Sequence, residues 1–138
     1  AGIATAVKER RPDVKVIGVQ PEHANAAYVS LEAGTPTTID YWDSIADGLS
    51  AGCPGAFPFL HLQRYLDDIV LIREEDIAKS FCTLRDRAKI VGEPAGVVAT
   101  AAFLAGKVDP SLTTVAVVTG GNVTAETVQR LMDMAEGS

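Results

Sequence analysis

Between Thr114 and Thr119 the sequence reads TVAVVT, a nearly unbroken apolar run that ends in Gly120-Gly121-Asn122. A strand with one face in water alternates apolar and polar residues. A run without that alternation is the mark of a strand covered on both faces, as in a parallel sheet between layers of helices. Two more short runs have strand character, Lys15 to Val19 (KVIGV) and Asp68 to Ile72 (DIVLI). Around them lie segments of helical period. Residues 1–11 form the first, stopped by Pro12, and residues 23–33 the second, ended by Gly34. Further helices are predicted over 59–66, 74–91, from Glu93-Pro94 to Ala105, and 125–136. Strands alternating with helices predict an α/β fold, a portion of a three-layer sandwich with a mainly parallel sheet of three strands flanked by helices. From Thr35 to Pro58 periodicity disappears and Gly, Pro and Asp accumulate. A loop of that length inside a compact domain is usually functional or disordered.

The totals narrow the class of partner. A chain of 138 residues, 47% hydrophobic and 22% charged, can bury a core of its own. Its net charge of −6 includes no basic run able to neutralise a row of phosphates, which argues against nucleic acid. The longest apolar stretch, Ala95 to Gly106, is too short to span a bilayer, so no membrane partner is expected. Cys53 and Cys82 have no second pair or neighbouring histidines, so they offer no zinc pattern and suit a reduced, cytoplasmic protein. Cys82 reads as packing in a helix, and Cys53, between Gly52 and Pro54, has no adjacent base or cation. The sequence opens at Ala1 already in a helical pattern, with no preceding cap or strand, and is read as cut from something longer.

Three segments carry chemistry. Thr119-Gly120-Gly121-Asn122 lies between an apolar strand run and a helix, where open α/β sheets bind ligands and where glycines admit a flat ligand close to the backbone. Alone it reads equally as a strand-to-helix turn with Asn122 or Thr124 as cap. Glu93-Pro94-Ala95-Gly96 puts a carboxylate at a helix start, which dipole complementation alone would explain. Ile45-Ala46-Asp47-Gly48-Leu49 in the long loop reads alone as an Asp-Gly turn.

In this order and at these spacings, together with KVIGVQPEHA and DDIVLIREEDI, the segments resemble the threonine/serine dehydratase family of fold-type-II pyridoxal-phosphate (PLP) enzymes, a group that includes serine racemase. The resemblance covers essentially the whole chain and implies part of a tryptophan-synthase-β-like fold. It implies that the Thr119 hydroxyl bonds the pyridine nitrogen of PLP with Gly120 beside it, that Glu93 is a carboxylate near the cofactor face, and that Gly48 lines the same cleft. The first helix is similar to the one that follows the family's phosphate loop. That loop and the Schiff-base lysine are expected upstream of Ala1, so no catalytic residue is assigned within the chain. Lys8, Lys15, Lys79, Lys89 and Lys107 all lie in charged or turn settings, unlike the desolvated lysine that such chemistry uses. Some relatives bind a divalent cation through a Glu and an Asp where this chain has Gln20 and Ala26, so no metal is expected. His23 and His61 are read as helix residues rather than ligands.

The resemblance thus implies the C-terminal portion of a PLP-binding catalytic domain without a regulatory domain. The whole enzyme would be a cytoplasmic, homo-oligomeric threonine/serine ammonia-lyase that eliminates the β-hydroxyl of its amino-acid substrate to give a 2-oxo acid and ammonia. The chain alone is expected to be inactive until joined by the missing N-terminal part or by a second chain. An amino-acid racemase on the same scaffold and a non-catalytic half-domain that binds or assembles are the alternatives. A nucleotide-binding domain would need a GxGxxG or P-loop after a strand, and the chain has neither.

Overall fold

In a computed structural model that describes residues 1–137, strands β1 (Ile17–Pro21) and β2 (Asp68–Ile72) pair in parallel, with Ile17 opposite Asp68 and Pro21 opposite Ile72. The register is set just before the ladder. Asp67 donates its backbone N–H to the Val16 carbonyl at 3.0 Å, and its carboxylate accepts the Val16 N–H at 2.6 Å. That clasp moves β1 two residues beyond the run read from sequence. Pro21 fits because it closes the strand, where the missing N–H interrupts no further ladder bond.

Among the described residues six α-helices surround this pair: α1 (Gly2–Arg10), α2 (Ala26–Ala33), α3 (Ala56–Tyr65), α4 (Glu74–Thr83), α5 (Val98–Leu104) and α6 (Ala125–Glu136). Helix α5 packs on both strands and α4 lies between α5 and α6. Ile72, Ile77, Phe81, Val97, Ala101 and Leu131 make the buried core where these elements meet. Helices α1 and α3 pack together on the opposite side of the sheet, and Leu66 at the end of α3 lies against Gly18, where a Cβ would stand 3.1 Å from its methyl. The α/β class with a parallel sheet between helices is as expected. No helix among the described residues is long and apolar enough to cross a membrane.

Three expectations are corrected. The Thr114–Thr119 run forms no ladder; Val115 is 85% and Val117 43% exposed, and among the described residues the sheet has two strands. Its apolar, β-branched residues suit a strand, but a ladder needs a neighbour about 4.8 Å away. Here the nearest strand, β1, faces the run across a cleft. The helix read over 74–91 stops its α-helical winding at Thr83 and continues as a π-helical turn, Leu84–Ala88, closed by Lys89 in the left-handed region at φ 59°. Helix α3 starts at Ala56, ahead of the predicted Phe59, because Pro58 falls in its first turn, where the missing N–H breaks no helical bond.

Candidate functional site

Glu93 stands in extended conformation immediately before a short 3-10 turn, Pro94–Gly96, that leads into α5. The Gly96 carbonyl accepts the Thr119 N–H at 3.2 Å, which brings the end of the 114–119 run onto this turn. Two glycines make the approach feasible. A Cβ on Gly96 would collide with the Thr119 carbonyl and come within 3.0 Å of the Thr119 hydroxyl. Gly120 adopts φ +68°, and a Cβ there would run into the Glu93 carboxylate.

The Asp-Gly loop arrives from the other side. In its 3-10 turn, Asp47–Leu49, Leu49 donates to the Ala46 carbonyl at 2.8 Å, and Ala46 is wholly buried in the core. A Cβ on Gly48 would stand 3.0 Å from the Ala95 methyl and 4.0 Å from Glu93 Oε1. Gly48, Glu93, Thr119 and Gly120 therefore surround one spot, although three separate chain segments supply them. The cluster presents an exposed hydroxyl and a half-buried carboxylate beside backbone bare of side chains. Such a surface can receive a flat ring and offer it one neutral and one anionic partner.

Two residues that hold these segments were not singled out from sequence. Glu74, at the first position of α4, accepts the Ile45 N–H through Oε2 at 2.9 Å and so pins the Asp-Gly loop; its Oε1 is buried without a partner. Ser80, one and a half turns on and fully buried, donates to the Val97 carbonyl at 3.1 Å and fixes the Glu93 turn. Both belong to the same helix. The available signal was a serine on the apolar face made by Ile77, Ala78 and Phe81; Glu74 looked like ordinary first-turn acidity. At the start of α4, Asp76 accepts the Arg73 backbone N–H and guanidinium, which holds its carboxyl below the usual range.

None of the five lysines is buried. Lys8 pairs with Asp67 at 2.8 Å and Lys89 donates to the Asp86 carbonyl at 2.7 Å, so none is a desolvated amine. Gln20 accepts the Tyr28 N–H at 2.9 Å in the first turn of α2, and Ala26 is buried. His23 is exposed, whereas His61 is half-buried on α3 with Nδ1 3.0 Å from the Thr5 hydroxyl and its ring between Phe57 and Tyr65. Cys53 is exposed, and burial pushes the Cys82 thiol upward. Asn122 caps no helix; Thr124 takes that role for α6 by accepting the Thr127 N–H at 3.2 Å.

Residues 1–120 match the family described as "Pyridoxal-phosphate dependent enzyme". The chain is 37% identical over 134 residues to the catabolic L-threonine dehydratase TdcB of Escherichia coli K12, covering 95% of itself and 41% of that protein. It superposes on the processed form of threonine deaminase isoform 2 from Solanum lycopersicum with a TM-score of 0.87 and 27% identity, over 97% of this chain and 40% of the other. Maize serine racemase gives a TM-score of 0.81 at 25% identity, over 99% of this chain and 43% of its own. The chain thus spans about two-fifths of the length of these relatives.

Proposed function

The chain belongs to the pyridoxal-phosphate-dependent enzyme family, and on that premise we propose that it forms the part of a threonine/serine ammonia-lyase that holds the ring of the cofactor. The observation that carries this reading is the convergence of Gly48, Glu93, Thr119 and Gly120 on one spot. The fit is chemical as well as spatial. The Cβ positions of Gly96 and Gly120 are taken by Thr119 and the Glu93 carboxylate, so these glycines bring the hydroxyl and the carboxylate together, and the Thr119 hydroxyl is a partner of the right kind for a pyridine nitrogen.

Bound there, pyridoxal phosphate would supply an electron sink that makes the α-proton of an amino acid removable. Thr119 would donate its hydroxyl proton to the ring nitrogen. Being neutral, it does not hold that nitrogen protonated as an aspartate would, which favours loss of a β-leaving group over a long-lived carbanion. Glu93 would place negative charge by the ring, held in position by the Gly120 contact and by the turn that Ser80 fixes. Gly48 would close the other side. The relatives' names support an amino acid with a β-hydroxyl as substrate. The reading further takes the Schiff-base lysine from sequence outside these 138 residues, places them in the C-terminal portion of the catalytic domain, and makes the assembled protein a cytoplasmic homo-oligomer.

The test is release of 2-oxo acid and ammonia from L-threonine and L-serine, measured on the 138-residue chain and on a polypeptide extended to the relatives' full length. No turnover is expected from the chain alone with added pyridoxal phosphate, and lyase activity from the extended protein. Turnover by the pure 138-residue chain, or an extended protein that only racemises, would overturn the proposal.

A further inference from the structure

Tyr41 and Trp42 stand side by side in the long loop, 63% and 45% exposed, and neither belongs to the group gathered around Glu93. Trp42 is the chain's one tryptophan. Its six-membered ring lies on the bare backbone of Gly52, where a Cβ would stand 2.8 to 2.9 Å from three ring atoms, so one face is seated and the other is turned outward. The loop that presents it is tied down at four points. The Thr37 N–H donates to Ser30 Oγ of α2 at 2.9 Å and the Ile39 N–H to the Gly52 carbonyl at 2.9 Å. The Asp43 N–H donates to the His23 carbonyl at 3.1 Å, and the Ile45 N–H to Glu74 Oε2 at 2.9 Å. Aromatic side chains held in place at a surface are the usual anchors of an interface.

We propose that Tyr41 and Trp42 form a docking platform for an arginine-bearing segment of another protein. Charge selects this occupant. From Val16 to Gln63 the chain has five carboxylates, Glu22, Glu32, Asp40, Asp43 and Asp47, and no lysine or arginine. Asp40 and Asp43 flank the two rings and are exposed, and Tyr41 Oη donates to Asp43 Oδ2 at 3.2 Å, which keeps that carboxylate beside them. A guanidinium stacks on the open face of an indole while its N–H groups reach a neighbouring carboxylate, a combination that an ammonium makes less well. Because the rings are already fixed, little side-chain freedom is lost on binding. The chain does not supply the cation from within: Arg73, near enough to interact with Glu22, is engaged by Asp76 at 3.1 Å. A second copy is a poor occupant. Lys8, Arg11, Arg73 and Arg85 are each paired with a carboxylate of their own chain, and two copies of net charge −6 repel. The proposal depends on neither the cofactor reading nor the lyase reading.

The test titrates the 138-residue chain, without cofactor, with a capped peptide of two arginines spaced by glycines and follows Trp42 fluorescence, which in a chain with one tryptophan reports this platform alone. The expected result is a saturable one-to-one change. The same peptide with lysines in place of arginines should bind about threefold more weakly. Asp40→Asn combined with Asp43→Asn should weaken binding roughly tenfold, as two exposed ion pairs are lost. Thermal unfolding of that variant should match the parent, because the Asp43 backbone bond to His23 is kept. Trp42→Leu, followed by calorimetry, should bind about fivefold more weakly. The proposal is overturned if saturating peptide leaves the fluorescence unchanged, or if the double Asn variant or Trp42→Leu binds as tightly as the parent. It is also overturned if free spermidine binds as tightly as the peptide, which would assign the platform to a small polyamine. A fluorescence change that develops with protein concentration alone would assign it to a second copy and overturn it likewise.

Discussion

Gly120 shows how one residue connects backbone conformation to the site. Gly34 and Gly120 both adopt positive φ, +71° and +68°, but a Cβ at Gly34 meets nothing within 4 Å whereas one at Gly120 meets the Glu93 carboxylate. Backbone strain alone costs about 1–3 kcal/mol for a non-glycine residue in this region. Gly34→Ala is therefore expected to lose stability within that range and Gly120→Ala clearly more, with urea unfolding as the measure. Adding Glu93→Ala should remove the excess at Gly120 and leave Gly34→Ala unaffected. Equal losses at the two glycines would mean that Glu93 does not press on Gly120. Thr119 is tested in the complete enzyme. Thr119→Val removes the hydroxyl at nearly constant volume and should lower elimination, costing about 1–3 kcal/mol if a ring nitrogen loses its partner. Thr119→Asp should instead shift products toward racemisation or transamination, because a carboxylate favours the protonated ring. Unchanged absorbance, rate and product ratio in both variants would reduce Thr119 to a turn residue. From sequence, each of these residues also had an ordinary explanation as turn or cap. Only the resemblance grouped them, since spacing along a chain does not say which loops meet.

At the scale of elements, the loops meet because of α4. Its first residue holds the Gly48 loop through Ile45, and Ser80 holds the Glu93 turn through Val97. Ser80→Ala removes one of the two hydrogen bonds that the Val97 carbonyl accepts, the one from the Ala101 N–H at 3.0 Å remaining, and should cost about 0.5–1.5 kcal/mol. Glu74→Ala should speed hydrogen exchange at Ile45 and its neighbours. Glu74→Gln should not, since it keeps an acceptor for Ile45 and offers an amide donor at the oxygen that now lacks a partner. If the two Glu74 variants behave alike, the Ile45 bond does not fix the loop. Elements with a strong local pattern were legible: β2 and α6 fall on the residues that the sequence marks, because a short apolar β-branched run, helical period and a threonine cap are local properties. What stayed hidden was tertiary. The shift of β1 comes from the Asp67 clasp to a strand about fifty residues earlier, and the fate of the 114–119 run is decided by the distance to its neighbour rather than by its own propensity.

Across the whole molecule, Asp67 joins parts that are remote in sequence: its carboxylate takes the Lys8 ammonium of α1 at 2.8 Å and the Val16 N–H ahead of β1, at the threshold of β2. The Lys8 hydrogen bond, then the backbone N–H of Val16, hold its carboxyl below the usual aspartate range. A carboxyl depressed in the folded state contributes stability that is fully present above its unfolded pKa of about 3.9 and is lost as pH falls through the lower folded value. The molecule should therefore hold its melting temperature from neutral pH down to about pH 5 and lose it increasingly below about pH 4, as Asp67 and Asp76 become protonated. Asp67→Asn should melt lower than the parent at pH 7, and the gap should close as pH falls through the depressed folded value, where the parent loses the same charge. Asp13 provides the control. Its carboxyl is likewise depressed, by Arg11, but the two are exposed neighbours in sequence and join no separate elements. A pair so local persists when the chain unfolds and adds little to the difference between states. Asp13→Asn should therefore follow the parent's melting curve at every pH. If Asp67→Asn runs parallel to the parent across the acid range, its charge does not hold α1 to the sheet, and the acid limb must arise from the carboxylates on α4.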